Sequence, residues 1–233
     1  MIQTLDPIIF KFTVEGLKVA LYKRPSNIER FPNVLSLPGG MVFEDVDATL
    51  EDSLTRILAK KVGFTPRFLE TMAPVGNKDR DPDGWSTTIP FLCIADFQDE
   101  RDTIEWRLVT KIIEKDGKAE YMLPFDHNML ITKAYEVIKN RATYSTLPLY
   151  FMPENFTLRD LQICYEALIG TEQHKAVFRK RWLNTGLLSE VGEYSPPIFA
   201  PRHKGTRLRQ AALYYVPKHT LMYFERTMSG IKD

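Results

Sequence analysis

Residues 37–63 read LPGGMVFEDVDATLEDSLTRILAKKVG, a glycine turn followed by a helix with its own start and stop signals. Thr49 is a candidate N-cap, and Asp52, three residues on, completes a weak capping box. Leu50, Leu54, Ile57 and Leu58 fall on one helical stripe, and Gly63 ends it. Upstream, Pro7–Val14 and Leu17–Tyr22 read as strands joined at Glu15-Gly16, followed by a loop with Pro25 and Pro32 and a short run, Leu35–Leu37. Downstream come a turn-rich stretch, Asn77–Gly84, a strand over Thr87–Phe97, a hairpin over 108–122 turning at Asp116-Gly117, and a helix over Asn128–Arg141. Strands, helix, strands, helix make an α+β domain.

The second half has a different order. Thr157 caps a helix whose apolar positions are Leu158, Leu161, Tyr165, Leu168 and Ile169, and Gly170 stops it. Thr171–Asn184 reads as a second helical segment with Gly186 after it, and Leu187–Val191 and Ala211–Val216 as short strands. A basic loop with Arg202, Lys204, Arg207 and Arg209 lies between those strands. Helix, helix, strand, basic loop, strand is the order of a winged helix-turn-helix. Pro148 and Pro153 punctuate the chain near Tyr144–Pro153, which sets the expected domains at 1–147 and 148–233.

Composition bounds the function classes. Hydrophobic residues make up 44% and charged residues 26% of the 233, the make-up of a soluble globular chain. There is no apolar run of membrane-spanning length and no basic-then-apolar leader, so a cytoplasmic protein is expected. Cys93 and Cys164 lie in apolar stretches without a neighbouring ligand residue; two reduced, buried thiols are favoured over a disulfide. The net charge of +1 hides an asymmetry: residues 1–150 carry 19 basic and 22 acidic side chains, residues 151–233 carry 12 and 8. Lys175–Arg209 alone holds eight basic residues against Glu190 and Glu193, the footprint of a polyanion partner.

Leu37-Pro38-Gly39-Gly40 and the helix from Arg56 to Gly63 resemble the Nudix box of hydrolases acting on nucleoside-diphosphate-linked substrates. From its arginine that family reads Arg-Glu-apolar-X-Glu-Glu-X-Gly, and the glutamates hold divalent cations on the pyrophosphate. Here the three glutamate positions are Ile57, Lys60 and Lys61. The resemblance narrows to the Nudix-related transcriptional regulators and runs over most of the chain: Asp79-Arg80-Asp81-Pro82-Asp83-Gly84-Trp85, Phe125-Asp126-His127, Phe151–Leu158, Leu161-Gln162, Phe178-Arg179-Lys180-Arg181 and Gly186-Leu187-Leu188. Where that family often has a Gly-Arg-Pro-rich wing, this chain has Arg202-His203-Lys204-Gly205-Thr206-Arg207. The resemblance implies an N-terminal Nudix-like α/β/α sandwich, a C-terminal winged helix, a homodimer on a pseudo-palindromic operator, and an effector that is ADP-ribose, another NAD metabolite or a sugar.

Individual residues have competing readings. Lys60 and Lys61 either complement the dipole of the helix they end, or replace the metal's charge and hold a pyrophosphate uncleaved. Arg80 and Trp85 either form a polar turn with the indole in the core, or wall the site with a phosphate-binding guanidinium and a base-stacking ring. The candidate effector set is Arg24, Gly39, Gly40, Lys60, Lys61, Arg80 and Trp85. In the second helix Phe178, Trp182 and Leu183 are expected to anchor in the core, with Lys175, Arg179 and Lys180 toward the major groove of double-stranded DNA. Arg202, Lys204, Arg207 and Arg209 are the wing candidates. Neither a cofactor, a metal site nor a membrane partner is expected. The expected protein is a repressor whose operator affinity falls when effector binds. The rival readings are a working Nudix hydrolase of ADP-ribose or a nucleoside diphosphate sugar, and a module gripping RNA or a protein.

Overall fold

The first strand, β1 (Ile2–Thr13), is buried without interruption from Leu5 to Phe12, including the charged Asp6 and Lys11. A strand covered on both faces loses the polar–apolar alternation of a half-exposed one, so its apolar run continues through a carboxylate. In chain order follow β2 (Gly16–Lys23), β3 (Leu35–Ser36), β4 (Gly40–Met41), α1 (Leu50–Ile57), β5 (Phe68–Thr71), β6 (Val75–Asn77), β7 (Ser86–Ile94), β8 (Ile104–Leu108) and α2 (His127–Tyr144). Then come β9 (Phe156–Thr157), α3 (Leu158–Ile169), α4 (Lys175–Asn184), β10 (Ser189–Ser195) and β11 (Ala211–Tyr215). The computed structural model describes residues 2–96, 98–113, 118–201, 208–218 and 220–224.

The chain divides into two compact units, 1–11 with 18–135, and 12–17 with 136–233. The expected boundary near Tyr144–Pro153 lies inside the second of these, and the division falls within α2.

In the first unit the sheet order is β3-β2-β1-β7-β5, with β4 on β1, β6 on β7 and β8 on β2. β1 and β7 run parallel, from Ile2 opposite Ser86 to Phe10 opposite Ile94. The helix α1 begins as its sequence dictates: Asp52 N–H donates to Thr49 Oγ1 and Thr49 N–H to Asp52 Oδ2, a full capping box. Its stripe, Leu54, Ile57 and Leu58, packs with Leu5, Ile9, Ala20 and Phe91. Deleting one such side chain to alanine costs about 2–5 kcal/mol. After Ile57 the helix widens into a π-helical turn, Leu58–Val62, and stops at Gly63 with φ of 78°. That left-handed conformation is open to glycine without steric penalty.

One expected element is placed differently, and two strands are added. Within 108–122 the described residues place Leu108 at the end of β8, which pairs with β2 and passes into a 3₁₀ turn at Val109–Lys111. The expected turn at Asp116-Gly117 lies outside the described residues. Two strands on β7, β5 and β6, had no reading in the sequence because they are short and only partly buried.

In the second unit Thr157 caps α3 with a capping box to Asp160, and Gly170 closes it at φ of 74°. Asp160 is fully buried, and its other oxygen accepts from the Phe199 backbone N–H at 2.8 Å. Glu166 accepts from the Gln173 N–H and the Gln162 side chain, fixing the turn before α4. That helix starts at Lys175 rather than Thr171. β10, β11 and β9 form a three-stranded antiparallel sheet in that order. Cys93 and Cys164 are both buried and unpaired. Among the described residues no helix is long and apolar enough to cross a membrane.

Candidate functional site

A cavity of about 430 Å³ opens in the first unit, within the size range of small-molecule sites. Its wall draws on β1 (Thr4, Asp6), on the loop after β2 (Arg24, Arg30), on the glycine turn (Leu37, Gly39, Gly40), on Lys61, on the 80–83 turn, and on Phe125 and His127 at the start of α2.

The glycine turn fits because it carries no side chains. A Cβ on Gly39 would stand 1.7 Å from Asp6 Oδ1, and one on Gly40 would stand 3.1 Å from Ile57. The backbone therefore lies directly against β1 and α1, with the Gly39 carbonyl turned to the cavity side, where Lys61 Nζ donates to it. Helical spacing explains which lysine arrives there: Lys61 lies four residues after Ile57 and three after Leu58, on the stripe that faces inward, and Lys60 lies off it. Leu58 and Val62 face the core, Lys61 lines the cavity and Lys60 is exposed. Burial, reinforced by the nearby Arg24 charge, pushes the Lys61 ammonium down to about 8 despite the opposing Asp6. Lys61 Nζ also lies 5.2 Å from the centre of the Tyr22 ring.

Arg80 is nearly buried. Its Nε and Nη2 donate to the two oxygens of Asp126 at 3.0 and 3.1 Å, Nη1 donates to Ser86 Oγ at 3.2 Å, and Nη2 reaches Asp6 at 3.5 Å. The guanidinium thus ties the 80–83 turn to the residue that precedes α2. His127 accepts the Leu37 N–H at Nδ1, 3.1 Å away, so its proton is on Nε2, which faces Asp6 at 4.0 Å. Burial lowers its basicity against the pull of Asp6 and Asp126, and the ring is neutral.

Arg30 pairs with Asp83 at 2.8 Å on the rim. Arg24 donates to the Phe31 and Arg30 carbonyls at 3.1 and 2.9 Å and lies 5.2 Å from the Phe125 ring centre. Phe125 meets Phe31 edge to face at 4.9 Å, and both hold positive φ, 57° and 49°. Among the described residues neither Arg24 nor Lys61 ion-pairs with a carboxylate; both are hydrogen-bonded to backbone carbonyls.

The structure brings Arg24, Gly39, Gly40, Lys61 and Arg80 of the candidate effector set together, and leaves Lys60 and Trp85 off the cavity wall. Trp85 is 50% exposed, neither core nor wall, and its ring lies where a Cβ on Gly76 would touch it. Asp6, Asp126 and His127 were not among the candidates. The signal for Asp6 was there: a carboxylate inside the apolar run Leu5–Phe10 needs a partner. Asp47, just before α1, is held by Arg56 at 2.8 Å and by Ser53 at 2.6 Å. Among the described residues no group of three His, Cys, Asp or Glu side chains could hold a metal ion.

In the second unit Phe178 and Trp182, four residues apart, bury one side of α4; Phe178 also meets Tyr165 of α3 at 5.4 Å. Leu183, expected in the core, is 42% exposed, because it falls a further 100° round the helix from Trp182. Lys175 and Lys180 are exposed, Arg179 is half-buried, and Arg209 is exposed before β11. Arg202, Lys204 and Arg207 lie outside the described residues.

A mixed sheet with a Pro-Gly-Gly turn and a helix over a cavity, followed by helix, helix and a small antiparallel sheet, defines a Nudix-type unit joined to a winged helix: the architecture of a ligand-sensing DNA-binding regulator. The model of the NrtR DNA-binding winged helix domain matches residues 148–215. The ADPR responsive transcriptional repressor NtrR of Acinetobacter baylyi is 30% identical over 192 residues, 82% of this chain and 76% of that protein. Shewanella oneidensis NrtR complexed with a 27mer DNA is 29% identical, with a TM-score of 0.79 over 97% of this chain and 98% of that one. The NUDIX domain of the Shewanella protein complexed with ADP ribose is 30% identical, with a TM-score of 0.50 over 58% of this chain and 86% of that one. The chain belongs to the NrtR family of transcriptional repressors.

Proposed function

We propose that this chain is an ADP-ribose-responsive repressor. It binds a double-stranded operator as a homodimer in the cytoplasm, and it releases the operator when the effector fills the cavity of its Nudix-type unit. Residues 1–147 form the effector domain and 148–233 the DNA-binding domain. Lys175, Arg179 and Lys180 of α4 meet the major groove, and Arg209 with Arg202, Lys204 and Arg207 supplies the wing. The observation that carries this reading is the cavity itself: Arg24 and Lys61 line it hydrogen-bonded to backbone carbonyls and, among the described residues, without an ion pair to a carboxylate, where an anion is the natural complement. That two relatives of similar length or domain content respond to or hold ADP-ribose supports the choice of anion.

The chain is not a hydrolase in this reading. Ile57, Lys60 and Lys61 stand at the positions where the family pattern has glutamates, so the attacking hydroxide has no metal to form on. Incubation with ADP-ribose and Mg²⁺ or Mn²⁺ tests this: calorimetry is expected to register binding while no AMP is released. Catalytic AMP release would return the chain to the hydrolases.

A further inference from the structure

The Nudix architecture implies a divalent cation on the pyrophosphate, and the residues here do not fit one. Of the three positions that would carry glutamates, Ile57 is in the core, Lys60 points to solvent, and only Lys61 lines the cavity. Its ammonium donates to the Gly39 carbonyl. The approach is built in: Gly39 lies so close to Asp6 that no side chain fits there, and Lys61, four residues after Ile57 and three after Leu58, lies on the inward side of its helix. Arg24 lines the same cavity, near enough that its charge disfavours that of Lys61, and neither cation ion-pairs with a carboxylate among the described residues. Of the carboxylates on this wall, Asp83 is taken by Arg30 and Asp6 by Arg80, which leaves Arg24 and Lys61 with Asp81 and an excess of positive charge that an anion satisfies.

We infer that Lys61 replaces the divalent cation: with Arg24 it forms a metal-independent site for a diphosphate group. This deepens the effector reading above and rests on it for the identity of the natural ligand, but not for the chemistry of the site. Lys61 holds the phosphate oxygens as a fixed point charge, Arg24 approaches from the loop after β2, and the Arg80 guanidinium, already engaged by Asp126, serves the wall.

Calorimetric titration of the full chain in EDTA, with inorganic pyrophosphate and separately with ADP-ribose, tests this. Both ligands are expected to bind, and added Mg²⁺ is expected to leave the ADP-ribose affinity unchanged. K61M is expected to weaken both by roughly 10- to 100-fold, the loss of one charge-assisted hydrogen bond, and K61R to recover most of it. R24Q carries the same expectation should K61M melt well below the parent. ADP-ribose bound only with Mg²⁺, or bound equally by parent, K61M and R24Q, overturns the site and leaves the effector reading standing. Pyrophosphate bound and then lost in K61M, with ADP-ribose not bound at all, keeps the site and overturns the effector. Binding of neither ligand to the parent overturns both.

Discussion

Replacing Arg80 with methionine would test the buried network that ties the cavity wall to α2. Methionine keeps most of the side chain's volume and removes the guanidinium, leaving Asp6 and Asp126 without their shared cation. The side chains of Arg80 and Asp6 are 4% and 5% exposed, so water cannot replace it cheaply. Removing one partner of such a pair costs about 3–5 kcal/mol, well above the value of an exposed ion pair. At a urea slope of about 2 kcal/mol per molar, the midpoint of unfolding should fall by roughly 1.5–2.5 M. The partner substitution D126N should destabilise as well, and R80M/D126N should lose less than the two single losses together, because the pair is removed as a unit. Circular dichroism during urea titration of the four proteins measures both quantities. A loss below about 1 kcal/mol in R80M, or strict additivity in the double variant, would refute the reasoning and assign the pair the weight of a surface contact.

Three further outcomes follow from the same geometry. T157A should cost about 1 kcal/mol of stability through the lost cap, and D160A more, since Asp160 also answers the buried Phe199 N–H; urea titration separates them. Effector affinity should fall as pH rises through about 8. Lys61 is depressed to that value by burial and by the neighbouring charges of Arg24, Lys60 and Arg56 against Asp6, an anion binds its ammonium form, and binding therefore takes up a proton above that pH. Calorimetry across pH 6.5–9.5, about a unit and a half each side of that value, reads this, and affinity that rises over the range contradicts it. K175A should reduce the slope of log affinity for DNA against log salt by about 1, and R179A should additionally relax preference between sequences; anisotropy at several salt concentrations distinguishes them.

Much of the fold is local and was therefore legible. The Thr49/Asp52 box, the Thr157 cap and the stops at Gly63, Gly170 and Gly186 depend on neighbours within a few residues. The parts that escaped depend on distant partners or on small deviations from regularity. The Arg80–Asp126 pair spans 46 residues, so Arg80 read as a ligand contact rather than as a fixed part of the wall. Lys60 and Lys61 were read together as a pair of charges, although Lys61 continues the Leu54, Ile57 and Leu58 stripe and Lys60 does not; the structure puts Lys61 on the cavity and Lys60 in solvent. Trp85 looked like a core or stacking ring because tryptophan usually is, yet the turn before β7 sets it half in solvent. Leu183 misled for the same reason: apolar identity at a helix position says less than its angle from Phe178 and Trp182.

The measurement that bears most directly on the account is fluorescence anisotropy of a labelled duplex from the chain's own upstream region, titrated with protein and then with ADP-ribose. The account predicts salt-sensitive binding that outcompetes scrambled DNA by on the order of a thousandfold and is reversed by ADP-ribose. Equal, weak binding to both duplexes, or specific binding that ADP-ribose leaves unchanged or tightens, would contradict it.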